Sequence, residues 1–343
     1  MTTGRRLANA ATGPGRRRVG RVVCLVVGVA IGLGFTRAAG FGRVVEVVRG
    51  ASAWMPALIA LEVAVIALDA LAARAILRGT SSLPATASSI AYPGRAPAVA
   101  WIRATALANA CAVFLPAGRA AGEAARASTL GAFFGLSRTV AAFARFQACS
   151  LLATATASFM LAALIGTLVS GAGALAPLLL GNGAVCAALG GGIYLLVRSE
   201  RLSAWVRRVL ARLVPAATAT VTTRRALLCG TVWSVAGRAL QTFQLGLAVL
   251  ATGGSLTLRS AVTSQGIHLV GASGGDLLPN QVGAMEAAYR YFADPLGFAS
   301  EPARALSIAV VLHGVQVSLA LCGLACAALL PHGAALGKEP DGA

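Results

Sequence analysis

Charged side chains are scarce in this sequence, and acids are the scarcest of them. Only 12% of the 343 residues are charged, and 57% are hydrophobic. A soluble domain of this length usually carries about twice that share of charge. Long apolar stretches fill most of the chain between about residues 22 and 329. We therefore expect one all-α polytopic membrane domain at 22–330, between a basic cytoplasmic tail at 1–21 and a short tail at 331–343.

Motifs for common enzymatic chemistry are missing. The sequence has no HExxH zinc motif, no P-loop and no glycine-rich dinucleotide motif in a suitable context. His268 and His332 have no candidate co-ligands, so we expect neither a metal nor a cofactor. The seven cysteines form no CxxC pair and all lie in apolar stretches, which predicts small buried side chains rather than disulfides. The sequence therefore does not predict an enzyme.

Basic residues are abundant, and their distribution indicates an orientation in a membrane. The net charge is +18, and most of the surplus lies in residues 1–21, 74–103 and 198–225. Each of these segments adjoins an apolar stretch, as in the cytoplasmic loops of membrane proteins. We therefore do not expect nucleic-acid binding. Because abundant Arg with one Lys, Lys338, is typical of GC-rich bacterial genomes, we expect a multi-pass protein of the bacterial inner membrane with a cytoplasmic N-terminus.

Six stretches are long enough to cross a bilayer, which needs about 20 apolar residues. They lie at about 22–38, 54–73, 139–169, 173–197, 226–251 and 303–330. Two further apolar regions, 97–136 and 255–297, carry charges and are broken by Pro116 and Pro279. If each broken region returns to its own side, the two basic segments that flank the first four spans share one side of the membrane. We therefore predict two re-entrant helical hairpins.

The two halves of the chain resemble each other at an offset of 163 residues. Positions 115–125 and 278–288 share six of eleven residues, including the Leu-Pro pair and a glutamate. The spans repeat at the same offset, which gives repeat 1 at about 22–169 and repeat 2 at about 173–330. An odd number of spans separates the hairpins, so the two repeats are predicted to be inverted, as in many transporters.

Acids and bases inside the broken regions are the first candidate site residues. Arg126 follows Glu123 by three residues and Arg290 follows Glu286 by four, so each pair shares a helical face. Ionisable groups inside a membrane are costly and usually functional. The pairs indicate either a polar site that handles a lipid headgroup or a proton, or two local ion pairs that stabilise the hairpins.

Polar residues on other segments extend the candidate site. Glu62 and Asp69 share a helical face and either line a pathway or pair with Arg145 or Arg238. A stripe suited to a cavity wall or to interhelical hydrogen bonds comprises Arg238, Gln241 and Gln244. The residues expected at the second hairpin tip are Asp276, Asn280 and Gln281. The full set expected along a substrate pathway is Glu123, Arg126, Glu286, Arg290, Pro116, Pro279, Gly283, Arg145, Arg238, Glu62 and Asp69.

One short motif indicates a different class of protein. Gly271-Ala272-Ser273-Gly274 matches the GxSG motif of rhomboid-type intramembrane serine proteases, and His313 on the following span is a candidate general base. A serine nucleophile needs such a base together with an oxyanion hole. The match covers four residues in a sequence with 40 glycines. We therefore expect a flexible loop here and keep the protease as a remote alternative.

Two motifs in the broken regions resemble those of the membrane region of lysylphosphatidylglycerol synthases, which also occurs alone in flippase-like membrane proteins. They are Pro116-x5-Gly122-Glu123-x2-Arg126 and Leu278-Pro279-x3-Gly283-x2-Glu286. The resemblance covers about residues 20–330, and it implies that Arg145 fills the place of an arginine in the span after the first motif. This sequence departs from the family at Ala120, where Gly or a bulky residue is common, and at His313, where another arginine is common.

In the full-length synthases a soluble domain transfers the aminoacyl group and the membrane region moves the lipid product. Because apolar stretches fill this sequence, the resemblance implies a lipid flippase-like transporter and not the aminoacyltransferase. The implied cargo is an aminoacylated phospholipid, a polyprenyl-linked lipid or a hopanoid-type lipid, so membrane lipids are the expected partners. The alternative is a non-catalytic membrane subunit that docks a glycosyltransferase or a lipid-modifying enzyme. The sequence leaves the oligomeric state open.

Overall fold

Helices make up almost all of the structure, a computed structural model that describes residues 37, 40–82, 96–169, 173–198 and 220–330, without the side chains of 196–198. The helices in these ranges are α1 (Phe41–Ala51), α2 (Met55–Arg78), α3 (Ala98–Phe114), α4 (Gly118–Phe134), α5 (Leu136–Leu168), α6 (Leu175–Arg198), α7 (Arg224–Ala251), α8 (Leu258–Gly275), α9 (Ala284–Tyr291) and α10 (Pro302–Leu329). Two strands, β1 (Thr80–Ser82) and β2 (Thr220–Thr222), pair antiparallel, and 3-10 turns lie at Ser52–Trp54 and Pro279–Gln281.

Four of the described helices are long and apolar enough to cross a membrane. They are the run Phe41–Arg78, which joins α1 to α2, together with α5, the Leu175–Leu195 part of α6, and α10. These helices support the predicted all-α membrane protein. The predicted span at 226–251 coincides with α7, whose arginines and glutamines make it less apolar than these four. The predicted span at 22–38, apart from Arg37, and the predicted tails at 1–21 and 331–343 lie outside the described residues.

The outer surface of the helical bundle is apolar, whereas its interior contains polar side chains. Large hydrophobic side chains are exposed on several helices, among them Leu189, Leu228, Val232 and Leu321. The buried polar residues include Arg126, Arg145, Gln244, Gln265, His268 and Glu286. Soluble proteins rarely expose so much contiguous apolar surface. Lipid is therefore the surrounding that this surface fits.

The cysteines are divided between the interior and this apolar surface. Cys149 and Cys186 are buried, whereas Cys229, Cys322 and Cys326 are exposed. The prediction of buried thiols is therefore wrong for the latter three. Their apolar surroundings are the lipid-facing sides of α7 and α10 rather than a protein core, and a thiol behaves as a small apolar group in either place.

The main apolar core lies among α2, α5, α6, α7, α8, α9 and α10. Its fully buried side chains include Leu58, Ile165, Leu245, Ile267 and Tyr289. The Tyr289 hydroxyl lies 2.9 Å from the Ser264 hydroxyl, which gives the one polar atom of this ring a partner. This core fixes α8 and α9, the two helices of the second broken region, against the long helices.

The first broken region folds as two helices that pack side by side, α3 and α4. Leu115 is extended and Ala117 adopts a left-handed conformation with φ of 51°, so the chain reverses within three residues. The helices approach closely because α4 presents Gly118 and Gly122 to the α3 backbone: a Cβ on Gly122 would lie 2.6 Å from the carbonyl oxygen of Ala108. Small residues spaced by four permit such packing between membrane helices.

The second broken region has a longer and less regular tip. The helix α8 ends at Gly275, and the chain turns through Pro279–Gln281, where Asn280 and Gln281 have φ of 48° and 58°. Gly283, with φ of 90°, precedes the eight-residue helix α9, which packs against α8. Both regions are therefore broken at or shortly before their Leu-Pro pair.

Contacts at the helix ends show which elements share an end of the bundle. The β1–β2 pairing joins the C-terminal end of α2 to the N-terminal end of α7. Arg138, at the start of α5, donates to the Leu77 carbonyl of α2 at 3.3 Å. Arg103, near the start of α3, donates to the Leu330 carbonyl after α10 at 3.1 Å. The helices α3, α5 and α7 therefore begin where α2 and α10 end, and α8 begins at the opposite end, where α7 ends.

Candidate polar site between the broken helices

A polar cavity of about 140 Å³ lies where the tips of the two broken regions meet. Its polar lining comes from α2, α3, α4, the second tip and α10, and consists of Glu62, Asn109, Arg119, Asp276, Asn280, Gln281 and Gln316. Because Gln316 lies midway along α10, the cavity is near the middle of the bundle. Broken helices near mid-membrane are tolerated where their free backbone groups line a wet cavity. The cavity is therefore the first candidate site.

Charges of both signs line this cavity. Glu62 is held by Gln244 of α7, whose Nε2 donates to Glu62 Oε2 at 2.8 Å and to the Leu58 carbonyl at 3.2 Å. Arg119 lies in the first turn of α4 and is exposed, and Asp276 follows the last residue of α8. Carboxylates accept hydrogen bonds and the guanidinium donates them, while the amides do both. The lining can therefore hold a polar group of either charge or a neutral hydroxylated one.

A second polar cluster connects α7 to α8. Arg238 Nη1 donates to Gln241 Oε1 at 2.9 Å, and Gln241 Nε2 lies 3.3 Å from His268 Nε2. Gln265 Nε2 also donates to Gln241 Oε1, at 3.4 Å, and Asp69 of α2 is near enough for its charge to act on Arg238. The predicted stripe thus makes hydrogen bonds between helices. Within the described part of the chain, Gln265 Oε1 and His268 Nδ1 are buried without a hydrogen-bond partner.

The predicted pair Glu123–Arg126 is present in α4. Arg126 Nη1 donates to Glu123 Oε1 at 3.0 Å, and the two side chains are 7% and 16% exposed for Arg and Glu. The guanidinium also lies over the rings of Phe143 and Phe146 of α5, at 5.7 and 5.8 Å. Glu123 Oε2 and Arg126 Nε have no hydrogen-bond partner among the described residues. Buried atoms of this kind usually receive water or a ligand.

Glu286 has a different partner from the one its sequence spacing indicates. Its Oε2 accepts a hydrogen bond from the Gly283 N–H at 2.6 Å, and its Oε1 lies 3.3 Å from His313 Nε2 of α10. His313 Nδ1 in turn lies 3.0 Å from the Asn280 side-chain nitrogen at the second tip. Arg290, one turn further along α9, lines a separate apolar cavity of about 580 Å³ between α6, α8 and α9. His313 therefore occupies the ion-pair position that we predicted for Arg290.

Arg145 and Arg238, the two suggested partners of Glu62 and Asp69, lie in different places. Arg145 is buried, and its guanidinium donates to the Thr220 hydroxyl at 2.9 Å and to the Thr220 carbonyl at 2.6 Å. It therefore anchors β2 at one end of the bundle, away from the polar cavity. Arg238 is near enough to Asp69 for the charge of Asp69 to act on it, but no ion pair joins these two side chains among the described residues.

The GxSG motif lies in the last turns of α8, so the expected flexible loop is wrong. The helix continues through the motif because small residues there pack against α9: a Cβ on Gly271 would meet Met285. The Ser273 hydroxyl lies within hydrogen-bond distance of two acceptors, the Asn182 side-chain oxygen at 2.6 Å and the Leu269 carbonyl oxygen at 2.9 Å. His313 instead contacts Asn280 and Glu286. This geometry gives Ser273 no histidine partner within the described residues.

Three polar residues of the cavity were not predicted from the sequence. Arg119 is one of many arginines in the chain, and Asn109 and Gln316 are single amides in apolar segments. A polar residue is costly at membrane depth whether or not it is charged, and this cost was a usable signal for the amides. Predicting Arg119 as a cavity residue would have required the exact position of the helix break, since Arg119 lies three residues after Pro116.

Comparison of the chain with protein-family models, with curated proteins and with solved structures finds no match. The resemblance to the membrane region of lysylphosphatidylglycerol synthases therefore stays a prediction from the two motifs. Among the described residues, no group of three or more His, Cys, Asp or Glu side chains is placed to hold a metal ion. The candidate site is accordingly defined by its own geometry.

Proposed function

We propose that this protein is a lipid flippase-like transporter of the bacterial inner membrane. The observation that carries the proposal is the polar cavity at the meeting point of two broken helices, inside a bundle whose outer surface is apolar. A lipid headgroup cannot cross the hydrocarbon core without polar contacts, whereas its tails can stay in the bilayer. A cavity lined by carboxylates, amides and a guanidinium offers such contacts near mid-depth.

The positions of the helix ends support an inverted arrangement of two re-entrant hairpins. The first hairpin begins beside the C-terminal end of α10 and is followed directly by α5, which begins at the same end. The second begins where α7 ends, at the opposite end of the bundle. With the basic segments in the cytoplasm, the first hairpin enters from the cytoplasm and the second from outside. Alternating access can then occur by rocking one repeat against the other.

A lipid would use the two cavities for its two chemical parts. The headgroup would occupy the polar cavity at Glu62, Arg119 and Asp276. The larger apolar cavity beside α9, with Arg290 in its wall, lies on the other side of the second hairpin. The sequence contains no nucleotide-binding motif, so the energy would come from an ion gradient or from the lipid gradient itself.

The test is transbilayer lipid movement in proteoliposomes that contain the full chain. Labelled aminoacylated, anionic, zwitterionic and polyprenyl lipids would be compared, with an imposed ion gradient. We expect wild-type protein to move one lipid class and the cavity variants Glu62→Gln and Arg119→Gln to lose that movement. Glu301→Gln is the matched control, because Glu301 is an exposed acid whose one ion pair among the described residues is with Arg304 of the same helix end.

Two results would count against this function. The first is that wild-type protein of verified fold moves none of the four lipid classes above the rate of empty liposomes. The second is that the two cavity variants move lipid as fast as Glu301→Gln, which would disconnect the cavity from the transport.

The second candidate function is a non-transporting membrane subunit that docks a lipid- or glycan-modifying enzyme. It is favoured by the hydrogen bonds between helices that join Gln244 to Glu62 and Gln241 to His268 and Gln265, since a scaffold needs such bonds and no substrate. Under this function, Glu62→Gln and Arg119→Gln retain cellular function and still co-purify with the partner enzyme. Loss of cellular function in folded variants with the partner retained contradicts it.

A further inference from the structure

A chain of contacts joins a buried acid to the polar cavity through one histidine. Glu286 is 4% exposed, and its Oε1 faces His313 Nε2 at 3.3 Å. On the other side of the same ring, His313 Nδ1 faces the Asn280 side-chain nitrogen at 3.0 Å. Asn280 itself lines the polar cavity. The imidazole is therefore placed between the acid and the tip of the second hairpin.

The contact between the Asn280 side-chain nitrogen and the ring indicates where the protons of the ring lie. A carboxamide nitrogen is only a donor, so Nδ1 must be the acceptor and carry no proton. The single proton of the neutral ring then lies on Nε2, which faces the carboxylate. The only free place for a second proton is Nδ1, and a proton there removes the acceptor that Asn280 uses. A singly and a doubly protonated ring therefore hold the tip differently.

The tip backbone is in a conformation that depends on such contacts. Asn280 and Gln281 both have positive φ, at 48° and 58°. Residues other than glycine seldom adopt this region, and two in succession persist only where surrounding contacts hold them. Losing the bond from Asn280 to His313 removes one of those contacts. The conformation of the tip can therefore depend on the protonation state of the His313 ring.

We propose that Glu286 and His313 form a proton-binding site that couples proton binding to movement of the second hairpin tip. A proton enters through water in the cavity and binds His313 Nδ1, and the imidazolium that results is stabilised by the Glu286 carboxylate. Asn280 is then released, and the tip moves relative to the cavity. Return of the proton to water on the other side of the bundle restores the bond. The coupling to lipid transport rests on the proposed function.

Other charged and titratable groups lie on the elements that pack around this site. They are Asp276 at the tip, His268 on α8, Tyr289 on α9, Glu62 and Asp69 on α2, Arg238 on α7 and Arg119 on α4. Glu286 is the one acid of the described residues within ion-pair distance of His313. The test must nevertheless separate His313 from His268, because the charge of His313 also acts on the His268 ring.

Selective isotope labelling can observe both ends of this contact chain. The chain has only three histidines, and its four asparagines are Asn9, Asn109, Asn182 and Asn280. We would label both residue types with ¹⁵N in the full chain, in lipid nanodiscs, and record solid-state spectra from pH 5 to pH 9. His313→Gln and Asn280→Leu assign the two signals.

We expect one ring signal with Nδ1 unprotonated at high pH and protonated at low pH, together with a side-chain amide signal of Asn280 that shifts over the same pH range. In His313→Gln the Asn280 signal should be independent of pH, whereas His268→Gln should leave its shift intact. A proton on Nδ1 at high pH overturns the proposal. An Asn280 signal that ignores the titration of His313 overturns it as well.

Proteoliposomes test the coupling separately. A gradient of two pH units can bias the tip by at most about 100-fold for each proton bound. We expect wild-type lipid movement to respond to the gradient and His313→Gln to move lipid at a rate that does not. Lipid movement by wild type that follows a Na⁺ gradient or no gradient refutes the coupling and leaves the transport function standing. A titrating His313–Asn280 pair without any lipid movement refutes the transport function and leaves the proton site standing.

Discussion

The close approach of α3 and α4 predicts that adding a Cβ at either of two glycines of α4 will destabilise the protein. Gly118 and Gly122 lie where α4 crosses the α3 backbone, and Gly118 also lines the polar cavity. A Cβ on Gly118 would run into the carbonyl group of Ala112, and a Cβ on Gly122 would lie 2.6 Å from the carbonyl oxygen of Ala108. In both cases the obstacle is backbone, which cannot rotate away as a side chain can. The substitutions Gly118→Ala and Gly122→Ala must therefore push the helices apart.

The size of the effect follows from these contacts. Ordinary van der Waals contact begins near 3.4 Å, so α4 would have to retreat by about 0.8 Å at Gly122 and by more at Gly118. Overpacking of this kind costs about 1–3 kcal/mol, and we expect about 2 kcal/mol at Gly122 and about 3 kcal/mol at Gly118. An alanine in an open helical position instead gains up to about 1 kcal/mol over glycine.

Matched controls lie elsewhere in the same bundle. At Gly166 in α5 and Gly181 in α6 an added methyl group would meet nothing within 4 Å, so Gly166→Ala and Gly181→Ala should be neutral or stabilising. Thermal unfolding of the full chain in one detergent ranks the four variants, and proteoliposomes measure lipid movement. We expect Gly118→Ala to have the lowest midpoint and, where it still folds, to lose lipid movement because the cavity wall is displaced.

Equal unfolding temperatures for Gly118→Ala and Gly181→Ala would contradict this prediction. Such a result would mean that α3 and α4 do not cross at these glycines. A Gly118→Ala variant of lowered stability but full lipid movement would keep the packing and remove the cavity wall from the transport function.

Three further predictions use single contacts. Arg126→Met should lower the free energy of unfolding by about 3–5 kcal/mol, because it leaves Glu123 buried without its partner. Arg304→Met removes an exposed pair and should lower it by less than about 1 kcal/mol. Unfolding in detergent compares the two variants, and equal losses of stability would contradict the burial of the Glu123–Arg126 pair. Gly283→Ala should cost about 1–2 kcal/mol by the same assay, because φ of 90° is strained for any residue with a Cβ. Ser273→Ala should leave cellular function intact, and a complete loss would revive the protease alternative.

The broken regions and the long helices were predictable from the sequence because local chemistry determines them. Proline lacks a backbone donor and disfavours helix in the residue before it, so Leu115 and Leu278 are extended wherever the chain then packs. Stretches of about 20 apolar residues have few alternatives to a membrane helix. Neither inference required knowledge of which helices are neighbours.

The contacts of the site were not predictable to the same extent, because they depend on how helices pack. The pairing of Glu286 with His313 joins α9 to α10, and no spacing within α9 contains it. Arg145 likewise looked like a site residue, yet it binds Thr220 across 75 positions of the sequence. Periodicity within a helix shows which side chains share a face. It does not show which other helix packs against that face.

The two glutamates that match in the repeat differ because their helices begin at different points. With the offset of 163, Gly118 corresponds to Gln281, so α9 begins three residues later than α4 would require. Glu286 is therefore the third residue of its helix and can accept from the Gly283 N–H, as a capping residue does. Glu123 is the sixth residue of α4, beyond reach of the helix start, and pairs with Arg126. In the first region a glycine begins the helix directly after the turn, whereas Asn280 and Gln281 extend the second tip. Within the described residues, the second tip alone contacts a histidine. Similar sequences in the two halves thus produce hairpin tips with different contacts.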